Sequence, residues 1–220
     1  MAAVAGLAIL TAALLLDSPR RQRRLTFWLE RGRDRGAVIF LGDSITERWT
    51  NLAAAFPEWT VANRGLDGDR TSEILDRLGP DVLALRPAAV VLLIGTNDLN
   101  GGADPQTVLV NLREIVRRLR APSPRLPVVI CKLMPRAPEP GRFPDQILRF
   151  NAMLDTAFPA DPATLVCDTW SPFANPLGLP SKEHFPDGLH PSPGAYAQWA
   201  AVLRPRLQRL LPPASDRETR

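Results

Sequence analysis

Histidine and cysteine are both scarce in this chain, each occurring twice in 220 residues. The two cysteines, Cys131 and Cys167, cannot build a disulfide framework. Both lie in apolar runs, PVVICKLM and TLVCDTW, where a free buried thiol is the expected state. No Cys and His cluster has metal-ligand spacing, which removes a structural zinc site. A basic face across the whole chain is also lacking. The net charge is +4. Residues 1–35 carry all of it, as seven arginines against Asp17, Glu30 and Asp34, and residues 36–220 are balanced. Nucleic-acid binding asks for basic residues across a domain, so no nucleic-acid partner is expected. The collar of Arg20, Arg21, Arg23 and Arg24 reads instead as a solvated helix face or a membrane-surface contact.

A hydrophobic run of spanning length is missing as well. Residues 2–16 are uncharged and mostly Ala and Leu. As a helix they reach roughly 22 Å, short of a hydrocarbon core of roughly 30 Å. No Lys or Arg precedes Arg20 and no small-x-small site follows Leu16, so a secretory signal fits poorly. Arginines directly after an apolar run hold that flank in the cytoplasm. Residues 1–24 are therefore expected to form a membrane-associating tail on a cytoplasmic-side domain. An apolar helix packed on the domain, an atypical export signal and a misassigned start are the alternatives. Every candidate site residue lies beyond Gly42, so the tail is expected to be dispensable for activity on a soluble substrate.

What is present is ordinary for a globular chain with a sizeable core: 45% hydrophobic and 23% charged residues. Short apolar runs at 37–42, 60–63, 88–95, 127–134 and 164–168 read as strands. Continuous apolar strands, buried on both faces, suggest a parallel sheet. Between them lie helical patterns at 69–78, with Asp69 as cap, at 104–120, with Asp104 as cap and Pro105 at the first position, and at 143–158. A last helix follows Ser192 and Pro193. The β-α alternation implies a doubly wound α/β domain over residues 25–211, with a frayed tail at 212–220. The 23 prolines punctuate loops, and residues 135–145 form a Pro-rich one. There is no internal repeat and no second domain.

In an open parallel sheet, ligands bind beyond the carboxyl ends of the strands. Four polar, glycine-bearing loops follow strands here: Gly42-Asp43-Ser44-Ile45-Thr46, Asn63-Arg64-Gly65-Leu66-Asp67-Gly68-Asp69, Gly95-Thr96-Asn97-Asp98, and Asp187-Gly188-Leu189-His190-Pro191. Ser44 stands where a strand turns into a helix, as an N-cap or as an exposed hydroxyl with its N–H free. A nucleophilic serine needs a base, and the choice is His184 or His190. His190 follows Asp187 by three residues, so one ring nitrogen can meet a carboxylate while the other faces away. Oxyanion donors are available from the Gly68 N–H and the Asn97 side chain. Taken singly, each of these is also an ordinary turn or loop residue.

Together, GDSIT, NRGLDGD, GTND and DGLHP resemble the four sequence blocks of the SGNH (GDSL) esterase and lipase superfamily. NRGLDGDRTSEILDRL followed by RPAAVVLLIGTNDL is especially similar to the branch holding the catalytic subunits of intracellular platelet-activating-factor acetylhydrolase. The resemblance covers roughly residues 25–211. It implies a flavodoxin-like three-layer α/β/α domain with a five-stranded parallel sheet in the order 2-1-3-4-5. It also implies no metal and no organic cofactor. The family's nucleophile falls on Ser44 and its acid and base on Asp187 and His190. Its oxyanion donors fall on the Ser44 N–H, the Gly68 N–H and the Asn97 side chain. Asp67 departs from the close branch, which often has another glycine there. The α/β-hydrolase G-x-S-x-G elbow is absent.

The expected activity is a serine esterase acting on short acyl esters through an acyl-enzyme. A carbohydrate O-acetyl esterase or an acyltransferase would use the same triad. Trp49 and Trp170 near the blocks fit a core or a pocket wall equally well. A non-catalytic module on the same scaffold would have lost a triad member, and none is lost.

Overall fold

The computed structural model describes residues 18–138, 144–158 and 161–211. Residues 2–16, the tail at 212–220 and part of the Pro-rich loop fall outside them. Five strands form one sheet: β1 (Val38–Gly42), β2 (Val61–Gly65), β3 (Ala89–Leu93), β4 (Val128–Cys131) and β5 (Thr164–Cys167). Every pairing is parallel and the order is β2-β1-β3-β4-β5. β1, β3 and β4 are buried at every residue, as their unbroken apolar runs require of strands covered on both faces. Cys131 and Cys167 are free, buried and opposite one another in the β4–β5 register.

Eight α-helices and a short 3-10 helix (Leu83–Leu85) complete the described chain: α1 (Pro19–Glu30), α2 (Ser44–Glu47), α3 (Leu52–Ala55), α4 (Thr71–Asp81), α5 (Thr96–Asn100), α6 (Pro105–Arg120), α7 (Pro144–Ala157) and α8 (Pro193–Leu210). They flank the sheet as a three-layer α/β/α domain. α6 starts as expected: Asp104 accepts the Gln106 N–H at 2.8 Å, and Pro105 occupies the first turn, where its missing N–H costs nothing. Its Val108, Leu112, Ile115 and Leu119 are all buried, and it packs between α4 and α7. Ser192 caps α8 by accepting the Ala195 N–H at 3.3 Å.

Two expectations change and one open reading is decided. β2 continues to Gly65, two residues beyond the apolar run, because Arg64 is buried with its charge matched by Asp34 at 2.6 Å. Asp69 does not cap α4, which begins at Thr71. Asp98, on α5, accepts the Thr71 N–H at 3.0 Å instead. Trp49 is core rather than pocket wall. It is 1% exposed and its ring centroid lies 4.6 Å from that of Trp199, within a cluster that includes Phe40, Phe56 and Tyr196. Burying an aromatic of this size stabilises the fold by roughly 1.5–3 kcal/mol. The cluster fixes the chain just after α2 to α8.

The tail region also differs from a solvated collar. α1 runs through the expected division at residues 24 and 25. Its Phe27 is buried, with the Arg64 and Arg23 guanidinium carbons 4.7 and 4.9 Å from the ring centroid. Arg20, Arg23 and Arg24 pair with Asp69, Glu47 and Asp81 of the domain. Among the described residues no helix is long and apolar enough to cross a membrane.

Candidate active site

The carboxyl ends of β1, β2 and β3 lie side by side, because Gly42 is the register partner of both Gly65 and Leu93. The chain leaves β1 straight into α2. A Cβ on Gly42 would stand 2.3 Å from the Leu93 carbonyl oxygen and from Thr46 Oγ1. Only glycine therefore lets α2 sit so close over the sheet. Asp43, rather than Ser44, is the N-cap: its Oδ1 accepts the Ile45 N–H at 3.0 Å. Ser44 is thereby left at the first helical position, where its N–H has no intrahelical partner. Tyr196 of α8 donates its hydroxyl to the carbonyl of the same residue, Ile45, at 2.7 Å and ties α2 to α8.

Ser44 Oγ lies 2.9 Å from His190 Nε2, although the two residues are 146 apart in sequence. His190 Nδ1 lies 2.7 Å from Asp187 Oδ2. The other carboxylate oxygen of Asp187 accepts the backbone N–H of Leu189 at 2.9 Å and of His190 at 2.7 Å. Burial pushes the Asp187 carboxyl up, but the His190 backbone N–H, the His190 ring and the Leu189 N–H outweigh it and hold it at about 2. Asp187 is therefore a carboxylate at neutral pH, in reach of Arg48 at 3.7 Å. The turn that carries both residues is fixed from outside: the Ala137 N–H donates to the Gly188 carbonyl at 2.7 Å, and the Ser192 N–H to the His184 carbonyl at 2.7 Å. His184 faces elsewhere, with Nδ1 at 3.0 Å from Ser181 Oγ and its ring edge-on to Phe173.

The other two expected donors lie at the same edge. Gly68 has φ +76°, in the left-handed region that favours glycine. Asn97, on α5, donates to the Asp69 carbonyl at 3.0 Å. The structure thus brings Asn97 against the very loop that carries Gly68. Asp67 is exposed. Its own N–H goes to Glu47 Oε2 at 2.6 Å.

Several residues that hold the site were not given that role from the sequence. Asp43 is fully buried, and loss of water raises its carboxyl to about 7 against the lowering effect of the Ile45 N–H. Asp69, 0% exposed, is shared by Arg20 and Arg77, each at 2.6 Å. Asn151 of α7 clamps the loop after β4 by bonding both the N–H and the carbonyl of Leu133, at 2.8 and 2.9 Å. In sequence these are single polar residues in mixed segments, and only their distant partners mark them. Among the described residues no group of three His, Cys, Asp or Glu side chains is placed to hold a metal ion.

A base within hydrogen-bond reach of a serine, oriented in turn by a carboxylate, is the arrangement of nucleophilic acyl chemistry. The model of the GDSL-like lipase/acylhydrolase family matches residues 40–198. A platelet-activating factor acetylhydrolase IB subunit beta homolog of Drosophila melanogaster is 29% identical over 127 residues, which are 54% of this chain and 53% of that protein. The chain thus spans about half the length of that relative. Among solved structures, a GDSL-like lipase from Bacteroides thetaiotaomicron superposes with TM-score 0.74 at 23% identity, covering 84% of this chain and 97% of that one. A carbohydrate esterase family 3 structure from Talaromyces cellulolyticus gives 0.62 at 20% identity, covering 79% and 96%. At these identities the structural likeness establishes the fold. The match of the family model, from within β1 to within α8, carries the assignment further, and this chain belongs to the GDSL-like lipase/acylhydrolase family.

Proposed function

We propose that this chain hydrolyses short-chain, acetyl-type esters through an acyl-enzyme on Ser44. The observation that carries the reading is the continuous line from Ser44 Oγ to His190 Nε2 at 2.9 Å and from His190 Nδ1 to Asp187 at 2.7 Å. Ser44 Oγ attacks the ester carbonyl carbon and His190 Nε2 takes the hydroxyl proton. Asp187 accepts the Nδ1–H, which fixes the tautomer and favours the imidazolium that forms. The negative charge on the carbonyl oxygen is received by the Ser44 N–H, the Gly68 N–H and the Asn97 amide. Collapse breaks the bond to the alcohol oxygen, which leaves with the proton from His190. Water then gives a proton to His190 and attacks the acyl carbon, releasing the acid and restoring Ser44.

The short-acyl preference is supported by the likeness to the Drosophila protein named a platelet-activating factor acetylhydrolase subunit homolog. A p-nitrophenyl ester series of rising acyl length, run beside acetylated sugars and with an added acceptor alcohol, tests the reading. Acetate and butyrate esters are expected to turn over fastest, with and without EDTA. Preferred deacetylation of sugars, or transfer to the acceptor in place of hydrolysis, would establish the carbohydrate esterase or acyltransferase reading instead.

A membrane-surface role for residues 1–24 is part of the same proposal. The outward side of α1 supports it: Leu25, Trp28 and Leu29 are 42%, 56% and 67% exposed. The guanidinium of Arg31 lies over the Trp28 ring. Apolar and indole groups beside arginines suit an anionic lipid interface.

A further inference from the structure

α1 precedes the stretch matched by the family model, and the positions of the site residues in sequence place none of its side chains near the chemistry. Its inner side nevertheless bonds the loop that carries Gly68. One guanidinium nitrogen of Arg20 donates to the Asp67 carbonyl, and the other lies 2.6 Å from Asp69 Oδ1. Gly68 lies between those two anchors. A Cβ built on Gly68 would have one neighbour within 4 Å, Arg20 Nη1 at 3.5 Å, so the guanidinium stands beside the glycine. A second bridge runs through Arg23. It donates to the Gly65 carbonyl at 3.3 Å and lies 3.8 Å from Glu47, whose other oxygen accepts the Asp67 N–H at 2.6 Å.

The loop needs such fixing. It has no regular secondary structure between the end of β2 and the start of α4, and Asp67 and Gly68 are exposed. Glycine has more backbone freedom to lose than any other residue. An oxyanion donor contributes only when it is aimed before charge develops. Asp69 ties the two donors together, because its carbonyl accepts the Asn97 amide at 3.0 Å. Arg77 secures the Asp69 carboxylate to the sheet, with further bonds to the Gly42 and Arg64 carbonyls at 3.2 and 2.8 Å. Of the two arginines on Asp69, Arg20 is the one that also reaches Asp67 and so spans Gly68.

We propose that Arg20 is a positioning residue of the oxyanion hole, clamping Asp67 and Asp69 on either side of Gly68 and so aiming the Gly68 N–H and the Asn97 amide. The proposal rests on the esterase reading of Ser44, Gly68 and Asn97 given above. The clamp is local, and its loss leaves the Ser44–His190–Asp187 line in place. The expected signature is therefore a slower chemical step at sites that still bind substrate.

The test uses the full chain, with Arg20→Ala and Arg20→Lys. Functional sites are counted by titration with a fluorophosphonate, which reacts with the activated serine. Turnover of p-nitrophenyl acetate per titrated site is expected to fall about tenfold in Arg20→Ala, within the scale of a small misplacement of reacting groups. The Michaelis constant should move by less than about twofold, on the view that the donors act on charge formed after binding. Arg20→Lys keeps the charge but not the two-pronged reach, and should recover part of the rate. Arg20→Ala sites that turn over at the wild-type rate, whatever the melting temperature, would overturn the proposal. Hydrogen exchange of the Asp69 amide, bonded to the Leu66 carbonyl at 3.1 Å, gives a readout that needs no activity and should speed up in Arg20→Ala. If the wild-type chain neither turns over esters nor reacts with the fluorophosphonate, the esterase reading fails. The exchange measurement then decides the clamp alone, and an unchanged Asp69 amide would overturn it.

Discussion

The side-chain nitrogen of Asn97 lies 3.0 Å from the Asp69 carbonyl and 3.5 Å from Asp43 Oδ2. The first distance is a full hydrogen bond and the second is at the limit of one. One amide hydrogen is thus held firmly and orients the group, while the other is held weakly beside the residue that precedes Ser44. That is the state of a donor waiting for a better acceptor.

Replacing Asn97 with Ala should therefore lower kcat by roughly 10²–10³-fold, the cost of losing one donor in other oxyanion holes. KM should change much less. Steady-state kinetics on a soluble ester check this. A large rise in KM at unchanged kcat would assign Asn97 to ground-state binding.

The two histidines should separate cleanly. His190→Ala removes the group 2.9 Å from Ser44 Oγ and is expected to cost several orders of magnitude in kcat. His184 bonds Ser181 and packs on Phe173, so His184→Ala should be far milder. Equal losses in the two variants would mean that the base is misassigned or that both residues act.

Asp43 predicts a pH dependence of stability. Its carboxyl is raised from 3.8 to about 7 in the folded chain. Between those values the folded state holds a proton that the unfolded state has released. This contribution is fully present below about pH 4 and is lost as pH rises to about 7. Asp43→Asn keeps an oxygen for the Ile45 N–H and cannot titrate. Relative to the parent, its melting temperature should climb across that window. Asp187, lowered to about 2, works in the opposite sense: its stabilisation is present above about pH 4 and is lost toward pH 2. It is common to both chains and drops out of the comparison. A parent–variant difference that stays flat from pH 4 to 8 would sink the neutral buried acid.

The membrane role of the tail is best tested without cutting α1. The full-length chain should partition to anionic vesicles and lose much of that binding in high salt. A chain beginning at Ser18 should bind more weakly yet keep its activity on a soluble ester, because Arg20 and Arg23 are retained. A chain beginning at Leu25 loses both and should be slower. A full-length chain that stays wholly in solution would instead favour an apolar segment packed on the domain.

The sequence by itself determined the sheet and the candidate residues at its edge. Residues 37–42, 88–95 and 127–131 are unbroken apolar runs, the pattern of strands buried on both faces. Asp104 and Ser192 cap the helices they precede, because capping depends only on residues within one turn. Ser44, Asp187, His190, Gly68 and Asn97 were legible because polar loops following apolar strands must gather at one edge of a parallel sheet. Tertiary structure decided everything that depends on a distant charge or a distant wall. Arg64 reads as part of the loop after β2 until Asp34 arrives 2.6 Å away. Asp69 reads as a helix cap until Arg20 and Arg77 take its carboxylate, and Trp49 reads as core or pocket until Trp199 packs against it. The arginines of α1 were read as facing solvent or lipid because a local pattern shows which side of a helix is charged. It does not show whether acids of the domain lie opposite, and here Asp69, Glu47 and Asp81 do.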